Sequence, residues 1–408
     1  MTSLLLRFRL LVQIAGALAL AGCGSPRAPA ASGARPRAAP SALDSVVADV
    51  CGKQVVLLGE PGHHGSGATL QAKVELVRRL TDDCGFSALF LETGAYDFID
   101  LEHSLAAGTA TRQQLSDAIT AFWSTTREIE PMVADLLEKA KAGRVRLAGL
   151  DHQIHSTARY AQRTLPVELA RHLDGARRTA CEAALLRHTQ WKYDDASQPQ
   201  EAIPLLRECL TDIQAALAAR PASKDAQEAT FMTSRLLLAV LGAASPGARA
   251  ESFNVRDRAM YDAFQWHAAR LAPGSKIIVW CATIHAAKDL RGIADAEALI
   301  SMGSYLHRDL GDRAAAIGFT AEGGSWARLR PPAKPLAVAP PDSLEAKALL
   351  GGAGVRYVAR GELERLGPMA SRAMGEAFSR VPWAEVVDGM VVFREDRPPT
   401  FVPGPTTP

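Results

Sequence analysis

The chain predicts an α/β domain with a parallel-sheet core flanked by helices and a helical insertion, and three observations carry that expectation. Short apolar runs recur at 55–58 (VVLL), 87–92 (SALFLE), 145–150 (VRLAGL), 276–282 (KIIVWCA) and 314–320 (AAAIGFT). They are unbroken and brief, as strands covered on both faces are. Helical stretches separate them, which suits right-handed crossovers between parallel strands. From 165 to about 250 the pattern is helical with no convincing strand, so that part is expected to be an insertion or cap.

The first run stops at Gly59 and leads into Glu60, Pro61, Gly62, His63 and His64. Helical spacing then takes over from 68 to 80, with Leu70, Val74, Leu76, Val77 and Leu80 on one face. The second run ends at Glu92, followed by a loop at 93–95, and two or three helices are expected between 97 and 143. The third ends at Asp151, His152, Gln153 and His155. After a turn near 245–247, the helix over 255–271 carries RDRAMYDAF. The fourth run leads to Thr283, Ile284 and His285. The fifth is preceded by the helical MGSYLHRDLGD, and further strand candidates lie at 355–359 and 390–394 beyond a proline-rich connection at 331–341.

At the amino end, Arg7 and Arg9 precede an apolar run over 10–20, too short to span a bilayer comfortably. That run closes with Leu20, Ala21, Gly22 and Cys23, which resembles a bacterial lipoprotein box. It implies a signal peptide over 1–22 and acylation of Cys23. The absence of aspartate after Cys23 favours an outer-membrane location facing the periplasm or the surface. Residues 23–42, rich in alanine, proline, arginine and serine, are expected to be a flexible tether. The domain is placed at 43–396 with the insert at about 165–250, and residues 397–408 are expected to form a disordered tail.

Export bears on the cysteines, because disulfides persist in oxidising compartments. Cys51 precedes the first strand and Cys84 follows the first helix, points at the same end of a βα unit. Cys181 and Cys209 lie on two helical segments joined through a polar turn. Two pairings, Cys51 with Cys84 and Cys181 with Cys209, are therefore expected. Cys281, inside an apolar strand, is expected to be a buried thiol.

The 408 residues are 48% hydrophobic, enough for a large core, and 46 basic against 44 acidic residues give a formal charge of +2. Nothing in that balance calls for nucleic acid. GxSxG, GxxxxGK[ST] and post-strand GxGxxG motifs are absent, which argues against serine-hydrolase, P-loop and dinucleotide chemistry. Glu60, His63, Glu92, Asp151 and His285 come from four strand ends. Parallel strands present those ends on one side, where ligands bind. Carboxylates beside imidazoles suit proton transfer to and from water, and hence hydrolysis. His64, Asp151 and His152 are placed as substrate contacts, the two histidines without a second feature that would make them catalytic. His103, His172, His188, His267 and His307 lie in helical patterns and are set aside. No HExxH spacing is present and no metal is assigned, although the crevice holds enough imidazole and carboxylate for one.

GEPGHH, GFSALFLE, GLDHQ, NVRDRAMYDAF, WCATIH and MGSYLHRDLGDRAAAIGF occur in the order seen in the erythromycin esterase family. The chain resembles that family from about residue 55 to 320. The resemblance implies hydrolysis of a macrolide lactone or another carboxylic ester by metal-independent water activation, with no cofactor. By position it implies His63 as general base oriented by Glu60 or Glu92. Arg256 would be oxyanion or carboxylate ligand, and His285 would protonate the leaving alkoxide or hold a carboxylate in place. Relatives commonly carry His and Asn where this chain has Ala282 and Thr283, which leaves the substrate open. Two rival expectations remain, a haem- or metal-binding envelope lipoprotein using the same crevice and a metal-dependent hydrolase.

Overall fold

All five apolar runs form strands, and all five lie side by side in one sheet. The structure, a computed structural model, describes residues 41–192, 199–244, 249–328 and 332–402. The assigned signal peptide, Cys23 and most of the assigned tether lie outside the described residues. The strands are β1 (Val55–Glu60), β2 (Phe86–Gly94), β3 (Arg146–Asp151), β4 (Lys276–Ala282), β5 (Ala314–Trp326), β6 (Lys334–Leu336), β7 (Val355–Ala359), β8 (Pro368–Ser371), β9 (Ser379–Pro382) and β10 (Gly389–Asp396). The main sheet runs β3-β2-β4-β1-β5-β10-β7, with β6 added to the end of β5. Its first six strands are parallel, β7 is antiparallel to β10, and β6 is antiparallel to β5. β8 and β9 make a separate hairpin.

Alternation along β1 explains the layering. Val55 and Leu57 join one buried cluster and Val56 and Leu58 the other, so both sheet faces are covered. On the second face pack α1 (Ala42–Val50), α2 (Gly67–Asp83) and, after α3 (Ala95–Ala106), α4 (Arg112–Ala118) and α5 (Ala121–Ser124), the helix α6 (Glu130–Lys141). The first face receives the insert, α7 (Leu165–Ala170), α8 (Gly175–Thr189), α9 (Pro199–Ala218) and α10 (Lys224–Ala244), together with α11 (Arg249–Ala268), α12 (Thr283–Ala286) and α13 (Met302–Leu310). Cys51–Cys84 and Cys181–Cys209 are both bonded, and Cys281 is a buried free thiol. Among the described residues no helix is long and apolar enough to cross a membrane.

Three boundaries differ from expectation. The fold begins at Ser41, whose hydroxyl accepts from Asp44 N while the Asp44 carboxylate accepts from Ser41 N, a capping box that starts α1. β2 runs through the expected loop to Gly94, with a bulge between Leu91 and Gly94 that Gly149 accommodates. A side chain at 149 would strike the carbonyls of Thr93 and Gly94. The third correction concerns the tail. Residues 397–402 are not loose but form a strap across the carboxyl side of the sheet. Arg127 N donates to Thr400 O and Val402 N to Thr125 O, each at 2.8 Å, around a bridge between Thr126 and Phe401. Glu128 accepts from Arg397 Nη1 at 2.7 Å and from Thr400 N, and Gly67 N donates to Arg397 O. Residues 403–408 lie outside the described residues.

Candidate functional site

Because β3, β2, β4 and β1 are neighbours, Asp151, Glu92, Ala282 and Glu60 stand in a row along their carboxyl ends. Above them is a cavity of about 630 Å3, within the size range of small-molecule sites. His64, Glu92, Asp151, Arg256 and His285 line it, with Phe122, Trp123, Ile154, Trp191 and Ile284 as apolar walls and Arg328 at one side.

Pro61 to His64 make a tight turn closed by His64 N to Pro61 O at 2.9 Å. His64 ends it with φ at 54°, a left-handed conformation in which histidine is commoner than most side chains. The turn directs the two imidazoles differently. His64 Nδ1 lies 2.7 Å from Glu60 Oε1. His63 accepts from Gly65 N at its Nδ1 and stacks on Trp326 with ring centres 4.4 Å apart. Burial, with His64 beside it, pushes the His63 imidazole down to about 4. Of the two imidazoles it is His64, not the His63 expected as general base, that contacts Glu60 and lines the cavity.

Glu60 is wholly buried and takes three donors: His64 Nδ1, Lys73 Nζ at 2.8 Å and the Trp123 indole at 2.8 Å. Burial works against its charge, yet Lys73 and His64 outweigh it and hold the carboxyl below its usual range. Lys73 is itself fully enclosed, with its ammonium 4.0 Å over the Trp280 ring, and burial lowers its pKa against the pull of Glu60. The direction that holds for the pair is ionised, since the carboxylate cannot be reprotonated while a cation and two N–H groups face it.

Arg256 organises the second half of the site. Its Nε and Nη2 donate to Asp151 Oδ2 at 3.0 and 2.7 Å, and Nη2 also reaches Glu92 Oε1 at 2.9 Å. The other Glu92 oxygen accepts from Ala282 N. Burial opposes the charge on Glu92, but His285 and Arg256 keep it well below the ordinary carboxylate range. His285 has Asp257 at Nδ1 (2.8 Å) and Glu92 at Nε2 (3.1 Å). Burial alone would neutralise it, but the two carboxylates raise it to about 10, so it carries both protons. Its 3.1 Å approach to Arg256 Nη1 is then a meeting of two donors, which leaves the Nη1 hydrogens uncommitted. His285 thus bridges two protein carboxylates, Asp257 and Glu92.

His152 departs from its expected role as a substrate contact. It is buried outside the cavity lining, its Nδ1 lacks a hydrogen-bond partner, and burial lowers its pKa. His155, not His152, reaches the wall.

A model of the family described as erythromycin esterase matches residues 81–391. The chain belongs to the erythromycin esterase family. The matched stretch holds Glu92, Asp151, Arg256 and His285, whereas Glu60 and His64 precede it. A putative hydrolase, YbfO, of Bacillus subtilis (strain 168) is 26% identical over 303 residues, covering 67% of this chain and 66% of its own. The alignment thus spans slightly under two thirds of that relative. Among solved structures, a Bacillus cereus protein superposes with a TM-score of 0.67 at 17% identity, over 89% of this chain and 94% of its own. A histidine mutant of the erythromycin esterase EreC in its open conformation gives 0.63 at 17%, over 88% and 95%. A succinoglycan biosynthesis protein gives 0.64 at 16%, over 88% and 92%. At these identities the three structures establish the shared fold.

In this erythromycin esterase fold the guanidinium of Arg256 lies between Glu92, Asp151 and His285. Among the described residues no group of three or more histidine, cysteine, aspartate or glutamate side chains is arranged to hold a metal ion. Lys73, Trp123 and Asp257 were not singled out from the sequence. Lys73 left a readable signal, a charge in the apolar stripe of α2 between Leu70 and Val77. Asp257 follows Arg256 directly, while Trp123 left none.

Proposed function

We propose that this erythromycin esterase family member hydrolyses a carboxylic ester or lactone with water activated by His64. The observation that supports it most is the 2.7 Å contact of His64 Nδ1 with the ionised, buried Glu60 at the cavity wall. That contact keeps the proton on Nδ1 and leaves the lone pair on Nε2. Nε2 takes a proton from water as its oxygen bonds to the carbonyl carbon. The carbonyl oxygen becomes an oxyanion facing the free hydrogens of Arg256 Nη1. When the tetrahedral intermediate collapses, the carbon–alkoxide bond breaks and the leaving oxygen receives the proton from Nε2, giving acid and alcohol.

The test is hydrolysis of a panel of esters and macrolide lactones by the wild type, H64A and H63A. H64A is expected to lose about 10² to 10⁴ in kcat, while H63A keeps most of its turnover and is less stable. Full activity in H64A, with turnover abolished in folded H63A, overturns the assignment. R256A should lose about 10² to 10³. We further propose that the protein is held at the cell envelope through acylated Cys23, a reading the two disulfides support. C23S should move it from the membrane fraction to the soluble one.

A further inference from the structure

The charges at the reacting end of the cavity satisfy one another. Glu92 and Asp151 are held by Arg256, His285 lies between Asp257 and Glu92, and Glu60 faces Lys73 and His64. Arg328 differs. Its side chain is exposed on the cavity wall, no carboxylate among the described residues pairs with it, and its guanidinium lies 4.6 Å over the face of Phe122. Phe122 is in turn stacked 5.7 Å from the His64 ring. Phe122 thus contacts both the guanidinium and the imidazole, which places the cation in the neighbourhood of the base. Trp191, 55% exposed, and Ile154 supply apolar surface in the same cavity.

An arginine stacked on an aromatic face keeps its N–H edge available for a planar anion, and the stack limits the side-chain freedom lost on binding. Resting on the hydrolase reading above, we propose that Arg328 determines specificity and that the preferred substrate is an ester with an apolar body. That ester also carries one anionic group, such as a carboxylate, a few atoms from the scissile carbonyl. The carbonyl sits at His64 and Arg256, the apolar body lies along Phe122 and Trp191, and the anion meets Arg328. A substrate with a basic amine in that position is disfavoured by the same charge, which sets this cavity against macrolides carrying an amino sugar there.

The test compares 4-nitrophenyl hemiglutarate with the uncharged 4-nitrophenyl pentanoate, using the full chain and its R328Q and R328E variants. The wild type should favour the hemiglutarate in kcat/KM by about tenfold at low salt, with the preference shrinking as salt rises. R328Q should lose about tenfold on the hemiglutarate and less than twofold on the pentanoate, and R328E should reverse the preference. Equal losses on both esters, or no preference in the wild type, overturn the proposal. Titration calorimetry with 4-phenylbutanoate and its neutral amide separates this outcome from failure of the hydrolase reading. If no ester is turned over, tighter binding of the acid that R328Q abolishes still supports the anion site. Equal affinity for acid and amide sinks it.

Discussion

Glutamine at position 60 keeps the shape of the side chain and removes its charge and one acceptor. The Glu60 carboxylate receives His64 Nδ1, Lys73 Nζ and Trp123 Nε1. An amide offers a single oxygen and places an NH2 against at least one of these donors. Lys73, with no exposed surface, loses its counter-charge, and stranding one member of a buried pair costs about 3–5 kcal/mol. Where the amide NH2 faces His64, it donates to Nδ1 and moves the imidazole proton to Nε2, the atom that must accept from water. E60Q is therefore expected to lose about 10² to 10⁴ in kcat and to unfold at lower urea. Adding K73M removes the stranded cation, so E60Q/K73M should recover much of the stability and none of the rate. Equilibrium urea unfolding and kcat/KM on an accepted ester read the two effects separately. An E60Q enzyme within fivefold of wild type, or a double variant that recovers rate along with stability, refutes the tautomer argument.

Other expectations concern the second half of the site and the frame. Because the folded-state pKa of His285 is raised to about 10, its contribution to stability is complete below about pH 6.5 and drains away as pH climbs towards 10. Unfolding free energy measured between pH 6.5 and 10 should fall in the wild type, and that decline should be missing in H285N. The Cys51–Cys84 bond closes a separation of 33 residues, so C51S/C84S should cost about 3–4 kcal/mol and lower Tm by about 5 °C, read by calorimetry. Deleting residues 397–408 should leave far-UV circular dichroism nearly unchanged while reducing kcat/KM by about 10-fold to 100-fold, because the wall carrying Phe122 and Trp123 loses its strap. Unaltered turnover in the truncated protein would mean that the wall holds itself.

Much of this architecture is legible in the sequence because buried parallel strands have no polar face to disguise them. KIIVWCA matches β4 residue for residue. What escaped recognition is short or held from outside. β6, β8 and β9 have three or four residues each, too few to show a period. The strap, RPPTFV, is short, extended and proline-bearing, without a period, and only its contacts with its neighbours make it structure. α1 did carry its signal, the Ser41 and Asp44 capping box, within a composition that otherwise reads as tether. The convergence of Glu60, Glu92, Asp151 and His285 follows from strand order alone. Which of His63 and His64 faces Glu60 does not, since adjacent side chains diverge according to the backbone, here at the left-handed φ of His64. Arg328 could not be foreseen either, because its meaning depends on Phe122, far away in the chain.

The strap also has a consequence in time. Glu128 and Thr400 are separated by 272 positions, and synthesis proceeds from the amino end. Closing so long a loop carries an entropic cost that shorter contacts avoid. The early helices and the β2–β3 pair can take shape while most of the chain is still unmade. The indole that completes the Glu60 hydrogen bonds, by contrast, sits on a wall whose clasp is made 272 positions after Glu128. Enclosure of Glu60 and His64 thus waits on residues 397–402, and a nascent chain that has not yet reached them would carry the histidine and its carboxylate without it.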